Sequence, residues 1–228
     1  MLRSTAVMFV LLNACVAAFP QNTPCVDIAD EPNHRMIFEN GNIRIFRLDF
    51  PGQKTTDVFC VSHPYVRIVA TEGRVSDLQS GGPAAVAHDW KAGEARFVFQ
   101  SQPKAVRNER GTAFREYDIE ALKPFEYNPL AGNDSDLFVS GPPGLQPTET
   151  ITVVRGPLVL SSNTLAPNDV LLVGGGEHFL VALSDVELSS PHQKVTVSAT
   201  EAARLSPTEP MELKNVGTAQ ARFILVQF

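Results

Sequence analysis

The chain is poor in the residue types that metal, nucleotide and nucleic-acid chemistry use. Its 228 residues hold five histidines, scattered at positions 34, 63, 88, 178 and 192, and three cysteines, at 15, 25 and 60. Acids outnumber Lys and Arg by 25 to 19, and no basic cluster interrupts that balance. Nucleic-acid binding requires cations that neutralise phosphates, so that class is excluded. No stretch after the N-terminus approaches the roughly 20 apolar residues that span a bilayer. There is no G-x-S-x-G nucleophile elbow. Gly174-Gly175-Gly176 lacks the G-x-x-x-x-G-K-[ST] pattern of a phosphate cradle and reads as a tight loop. No long stretch carries a 3.6-residue period, which leaves little room for helix.

What is present begins with an export signature. Arg3 precedes a short apolar run, Thr5 to Ala18, that ends in small residues. Val16-Ala17-Ala18 fits a small-x-small cleavage site, so residues 1–18 are read as a signal peptide cut after Ala18. Two other readings stand beside it: an uncleaved anchor, and lipidation at Cys15 within Leu12-Asn13-Ala14-Cys15. Cleavage removes one Arg and no acid, taking the net charge from −6 to −7. Either processing route leaves Cys25 and Cys60 as the pairable thiols in an oxidising compartment. Spacing leaves open whether they form a disulfide or stay as two buried thiols.

The remainder reads as β structure. Ile43 to Leu48, Tyr65 to Val69, Phe114 to Ile119, Ile151 to Val154, Leu158 to Leu160 and Phe223 to Phe228 are β-branched and aromatic runs. Pro51-Gly52, Glu72-Gly73, Gly81-Gly82-Pro83, Ala92-Gly93, Arg110-Gly111 and Val216-Gly217 punctuate them as turns. Residues 123–150 hold five of the 17 prolines and no sustained strand, and read as a surface connector. Asn133-Asp134-Ser135 within it is a glycosylation sequon.

A repeat flanks the connector. Val106 to Ala113 (VRNERGTA) is matched by Leu213 to Ala219 (LKNVGTA). Glu94-Ala95-Arg96-Phe97 is matched by Ala202-Ala203-Arg204-Leu205, and Phe50-Pro51-Gly52 by Ala166-Pro167-Asn168. Matches in fixed order at a nearly constant offset mark a duplicated module. The expected organisation is a signal peptide (1–18), an N-terminal arm (19–33), module 1 (34–122), the connector (123–150) and module 2 (151–228). Phe97, Phe99, Phe114, Phe223 and Phe228 fall at matched strand positions and are expected to pack the modules or their contact. An aromatic-lined ligand pocket is the alternative reading of the same residues.

The residues from Gly93 to Asn108, GEARFVFQSQPKAVRN, run from a glycine that opens a strand, through a strand-turn-strand, to an asparagine. This stretch resembles the second motif of the cupin superfamily, and the whole chain resembles a small secreted bacterial bicupin. The resemblance covers about residues 34–122 and 151–228. It implies an all-β fold of two tandem jelly-roll modules (double-stranded β-helices). In such a barrel, His-x-His plus a carboxylate on one hairpin and a histidine on the next hold an interior metal, because residues two apart on a strand point into the same lumen.

This chain departs from that pattern at each ligand position. The histidine of the second motif is Lys104, whose ammonium has no lone pair for a metal. The first His-x-His falls on Val58 and Cys60, or one residue later on Phe59 and Val61, and Pro64 and Tyr65 fill the carboxylate region. In module 2 the pair falls near Leu172 and Gly174, and the last histidine falls on Met211, four residues before Asn215. Glu177 and His178 are adjacent, so they point to opposite faces of a strand. Lys104 is read as a pocket lysine with a depressed pKa or as a solvated lysine at a barrel mouth.

The expectation is therefore an exported cupin-like protein without the usual metal site, serving as a scaffold or binding a small organic molecule in a barrel lumen. No catalytic, cofactor or metal residue is assigned, and no cofactor is expected. The chain is expected to be a monomer or homodimer. One alternative is a divergent metalloenzyme, dioxygenase- or isomerase-like, with a site rebuilt around Cys60, His63 and His178. Cysteine-nucleophile chemistry by Cys60 with His63 lacks a third, orienting group. A further alternative is an envelope-tethered interaction lipoprotein anchored through Cys15.

Overall fold

The computed structural model describes residues 24–79, 87–98, 103–123, 134–138, 151–155 and 158–228. The signal segment with Cys15, the Gly81-Gly82-Pro83 turn, Phe99 and most of the connector lie outside them. The described residues form strands and one short 3-10 turn, Ile28–Asp30. Module 1 comprises β1 (Val26–Asp27), β2 (His34–Glu39), β3 (Ile43–Phe50), β4 (Phe59–Cys60), β5 (Tyr65–Val69), β6 (Gly73–Gln79), β7 (Ala87–Trp90), β8 (Ala95–Val98), β9 (Lys104–Asn108) and β10 (Phe114–Ala121). A strand absent from the expected connector, β11 (Asp134–Phe138), pairs antiparallel with β8 and extends its sheet. Module 2 comprises β12 (Ile151–Arg155), β13 (Leu158–Leu165), β14 (Val170–Val173), β15 (His178–Ala182), β16 (Val186–Ser189), β17 (Lys194–Val197), β18 (Ala202–Leu205), β19 (Met211–Asn215) and β20 (Ala221–Gln227).

Each module is a two-sheet jelly roll. In module 1 the sheets run β1-β4-β9-β6-β7 and β11-β8-β5-β10-β3-β2; in module 2 they run β14-β19-β16-β17 and β12-β13-β20-β15-β18. Three cores result. One fills barrel 1 with Phe46, Leu48, Phe50, Phe59, Trp90 and Phe114 among others, and one fills barrel 2 with Leu180, Leu188, Leu213 and Phe223. The third lies between the modules, where Ile43, Ile45, Ile68 and Ile119 of one sheet meet Leu160, Phe179, Val181 and Val226 of the other. Strands β5 and β15 are buried along their whole length, which is why both read as mostly apolar runs, while β10 is buried on both faces although one of them carries acids. The modules form one intramolecular pair. Phe97 packs in the seam and Phe228 at its margin, Phe114 lies in barrel 1, and Phe223 lies in barrel 2.

The repeat is present in three dimensions, with the sequence matches shifted by one residue in places. Strand pairing sets Phe50 opposite Phe114 and, in module 2, Leu165 opposite Ala221. Gln53 is thereby the counterpart of Asn168, and both carry the left-handed backbone of a tight turn, with φ of 59° and 72°. Ala95, not Glu94, corresponds to Ala202, because each follows the same partner strand. Gly52 is required for a different reason: a Cβ there would lie 2.2 Å from the Gly111 carbonyl oxygen.

The motif asparagine is a structural pin in both modules. The Asn108 side-chain amide donates to the carbonyls of Phe50 (3.2 Å), Pro51 (3.3 Å) and Thr112 (2.8 Å), and its Oδ1 accepts from Arg110 N–H. Asn215 donates to Leu165 and Ala219 (2.9 Å each) and accepts from Gly217 N–H. Both side chains are buried, so alanine would strand several carbonyls. Asn108→Ala and Asn215→Ala are each expected to cost about 3 kcal/mol in urea unfolding, and a value within error of wild type would remove the pin from the account.

A charged lumen in barrel 1: the candidate functional site

Strand alternation decides what enters barrel 1. On β10, Phe114 faces the lumen core, so Glu116, Asp118 and Glu120 face the same way, while Tyr117 and Ile119 face the seam. On β5, Tyr65 and Val69 flank Arg67 on the lumen side. Lys104 and Asn108 flank the lumen residue Val106 on β9, and Asp77 lies two residues after the lumen residue Val75 on β6. Arg67, Lys104, Glu116, Asp118 and Glu120 are all buried. A β-barrel of this size has placed two cations and at least three acids in its interior.

These charges are only partly answered. Arg67 Nε lies 3.1 Å from Glu116 Oε1 and 3.7 Å from Asp118 Oδ1. Asp118 Oδ2 lies 3.9 Å from His34 Nε2, and His34 Nδ1 is held at 2.6 Å by Glu31. Lys104 Nζ donates to Tyr65 Oη at 3.1 Å and lies 3.6 Å from Asp77 Oδ1. Arg44 closes on Glu120 at 2.6 Å. Arg67 Nη2, both Glu116 oxygens, both Asp118 oxygens and His34 Nε2 are buried with no hydrogen-bond partner among the described residues. Gaps of 3.6–3.9 Å between opposite charges are the separations at which a third polar atom bridges two groups.

The environment sets the protonation. Burial pushes the Glu116 carboxyl up to about 8, with Arg67 pulling against it and Asp118 adding to it. Burial likewise raises Glu120 to about 7 against the pull of Arg44. Asp77 is held below the usual carboxylate value, because Lys104 and Arg67 outweigh its burial. Burial disfavours the Lys104 ammonium and Arg67 repels it, but Tyr65 and Asp77 more than offset both, and its pKa lies above the ordinary lysine value. Both sequence readings of Lys104 are thereby corrected: it is neither solvated nor depressed, because the barrel supplies a phenol and a carboxylate beside it.

Module 2 is a natural control for this site. Strand pairing makes Tyr65, Arg67 and Val69 the counterparts of His178, Leu180 and Ala182, since each trio runs along the same face opposite β10 or β20. Glu116, Asp118 and Glu120 correspond to Phe223, Leu225 and Gln227, and Lys104 to Met211. None of these module 2 positions carries a formal side-chain charge at neutral pH; burial lowers the pKa of His178, the titratable one, and so favours its neutral form. The same barrel is therefore built with leucine and phenylalanine where module 1 has arginine and carboxylates.

Residues at the cupin metal positions do not fit a metal. Of the two registers left open for module 1, Phe59 and Val61 are the pair in the barrel core, and Cys60 is committed to a disulfide with Cys25. Tyr65 and Lys104 complete the set, and they bond each other. In module 2 the expected position at Leu172 is corrected: Leu172 points outward and is 72% exposed, while Leu171 and Val173 pair with the lumen residues Leu213 and Met211. Gly174 follows the strand, in the loop. The three residues proposed for a rebuilt centre are not brought together. Cys60 is in the disulfide, His63 sits in the loop before β5, and His178 lies in module 2, bonded through Nδ1 to the Gly176 carbonyl. Glu177 turns away from it to Arg204 at 2.6 Å. Among the described residues no group of three His, Cys, Asp or Glu side chains is arranged to hold a metal ion.

The acids of β10 escaped the sequence reading, because a Phe-x-Glu-x-Asp-x-Glu face on one strand looks like its solvent side. The available signal was Arg67, a lone cation inside the apolar run Tyr-Val-Arg-Ile-Val.

No protein-family profile and no curated relative matches the chain. Solved structures do. A putative glyoxylate-induced protein from Pseudomonas aeruginosa superposes with a TM-score of 0.60 at 16% identity, covering 86% of this chain and 81% of that one. A cupin 2 conserved barrel domain protein from Leptotrichia buccalis gives 0.56 at 12% identity, covering 85% and 87%. Salicylate 1,2-dioxygenase from Pseudoaminobacter salicylatoxidans gives 0.53 at 8% identity, covering 82% and 68%. At such identities the likeness is one of fold.

Proposed function

From the premise that the chain folds as two tandem cupin jelly rolls, we propose that it is a metal-independent, non-enzymatic binding protein whose barrel 1 lumen holds a small polar organic molecule. The observation that carries this reading is the contrast between the two lumens. Burying unpaired charge destabilises a fold, and apolar residues of similar volume are often at least as stable. Module 2 has the apolar solution at the equivalent positions. Module 1 instead keeps Arg67, Glu116 and Asp118 with open hydrogen-bonding atoms. A ligand with both donors and acceptors would satisfy the guanidinium and the carboxylates together. The metal-enzyme reading has no comparable support, because Phe59 and Val61 offer no donor and Cys60 is tied in a disulfide. Export is part of the proposal. It is supported by the N-terminal signature and by the Cys25–Cys60 disulfide, which suits an oxidising compartment. No helix among the described residues is long and apolar enough to cross a membrane.

The test compares wild type with Arg67→Met/Glu116→Leu/Asp118→Leu, which converts the lumen to the module 2 solution. Both are purified natively without a tag, denatured, and the released small molecules are identified by mass spectrometry. A near-stoichiometric polar compound released by wild type and absent from the folded triple variant is the expected result. Equal release from both, or none from wild type together with a crystal structure showing the lumen filled by side chains and water alone, would contradict the proposal.

A further inference from the structure

The two sheets that meet at the seam end in the edge strands β2 and β18. A cleft of about 320 Å³ lies there, at the lower end of the size of small-molecule sites, which favour such junctions. Its floor is the margin of the seam core: Tyr117 and Phe179, both buried and in edge-to-face contact at 5.6 Å, with the partly buried Phe38 beside them. Ala202 and Ala203 on β18 are small, and that is what leaves the space.

The rim is cationic. Arg35, Arg47 and Arg204 surround the cleft, against the single acid Glu201 in its lining. Arg47 is answered by Asp49 at 2.7 Å and by Glu201 at 3.3 Å, and Arg204 by Glu177 while its guanidinium stacks over Phe38 at 4.8 Å. Arg35 is different. It stands directly opposite Arg47 in the β2–β3 register and forms no ion pair with any described residue. Arg47 already has its acids, so what singles out Arg35 is the lack of one of its own, and an anion there gains a charge-assisted bond.

We propose that this seam cleft is a second binding site, for an organic monocarboxylate with a flat apolar body. The body lies on Phe38, Tyr117 and Phe179, and the carboxylate meets Arg35. It is independent of the barrel 1 lumen in position and in ligand chemistry.

The test uses 1-naphthoate and its neutral analogue 1-naphthalenemethanol as probes, followed by calorimetry or NMR titration on the full chain. Saturable naphthoate binding that weakens with salt is expected, with much weaker binding of the alcohol. Arg35→Ala, an exposed position outside all three cores, should weaken naphthoate by about tenfold and leave the alcohol unchanged. Ala202→Leu should fill the cleft and remove both, and a thermal melt establishes that each variant is folded. The lumen triple variant should bind naphthoate as wild type does. No saturable binding, Arg35→Ala within about twofold of wild type, undiminished binding by folded Ala202→Leu, or loss of binding in the lumen triple variant would each overturn the proposal.

Discussion

Arg67→Met alone is expected to destabilise the protein by about 4 kcal/mol at pH 8, the size of loss seen when one partner of a buried charge pair is removed. The variant leaves Glu116 and Asp118 facing each other in the barrel without the cation between them. The loss should depend on pH in a defined direction. Glu116 has a folded-state pKa of about 8, above the ordinary carboxylate value near 4.5. Stability from such a group is fully present below its unfolded value and drains away as pH rises through the folded one, so in wild type the window is roughly pH 4.5 to 8. Removing Arg67 removes the charge that holds Glu116 down, raises its folded pKa further and extends the decline above pH 8. Urea unfolding at pH 5, pH 8 and about pH 9.5 measures both effects: the deficit of Arg67→Met should grow between pH 8 and the highest pH. Glu116→Gln, which fixes the neutral form, should flatten the wild-type profile between those values. The triple variant with leucine at 116 and 118 should recover wild-type stability or exceed it, as module 2 implies. A single Arg67→Met variant within about 1 kcal/mol of wild type at pH 8 would mean the cluster is not electrostatically coupled.

Removing the disulfide by Cys25→Ser/Cys60→Ser is expected to cost about 4 kcal/mol, from a sequence separation of 35 residues and the loop-closure entropy released in the unfolded chain. Its local role adds to this. The bond fastens β1 along β4 in parallel register, Val26 to Phe59 and Asp27 to Cys60, and Phe59 lies directly opposite Lys104. Losing it therefore loosens the strand that closes the charged lumen. Chemical unfolding of wild type with and without reductant, beside the double serine variant, measures the effect. Equal stability in all three would show that the arm contributes nothing.

The sequence and the structure agree where a residue type has one physical use. Asn108 and Asn215 mark the same turn in both modules because a buried amide that donates to several carbonyls has few substitutes. Gly52 marks a backbone approach that excludes a Cβ. Lys104 marks a position that cannot ligate a metal, since an ammonium has no lone pair. The lumen charges were not legible, for a reason specific to a duplicated barrel. Alternation on β10 separates Glu116, Asp118 and Glu120 from Tyr117 and Ile119, but it does not say which face meets water. Here neither does: the apolar face meets module 2 and the acidic face meets the barrel interior. The outward turn of Leu172 was missed for a related reason, because a run of four apolar residues from Val170 to Val173 has no alternation from which to set a register. The strand β11 was hidden by the prolines around it.

The central proposal is that barrel 1 works without a metal, its interior holding instead the Lys104 ammonium bonded to Tyr65. Elemental analysis of mature protein, purified without a tag or chelator, tests it most directly, paired with thermal melts in Fe, Mn, Ni and Zn. The account predicts less than about a tenth of an equivalent of any transition metal and no shift in melting temperature on adding one, as expected where three convergent donors are missing. A near-stoichiometric metal that is lost in His63→Ala or His178→Ala would contradict it and restore a metal centre to this barrel pair.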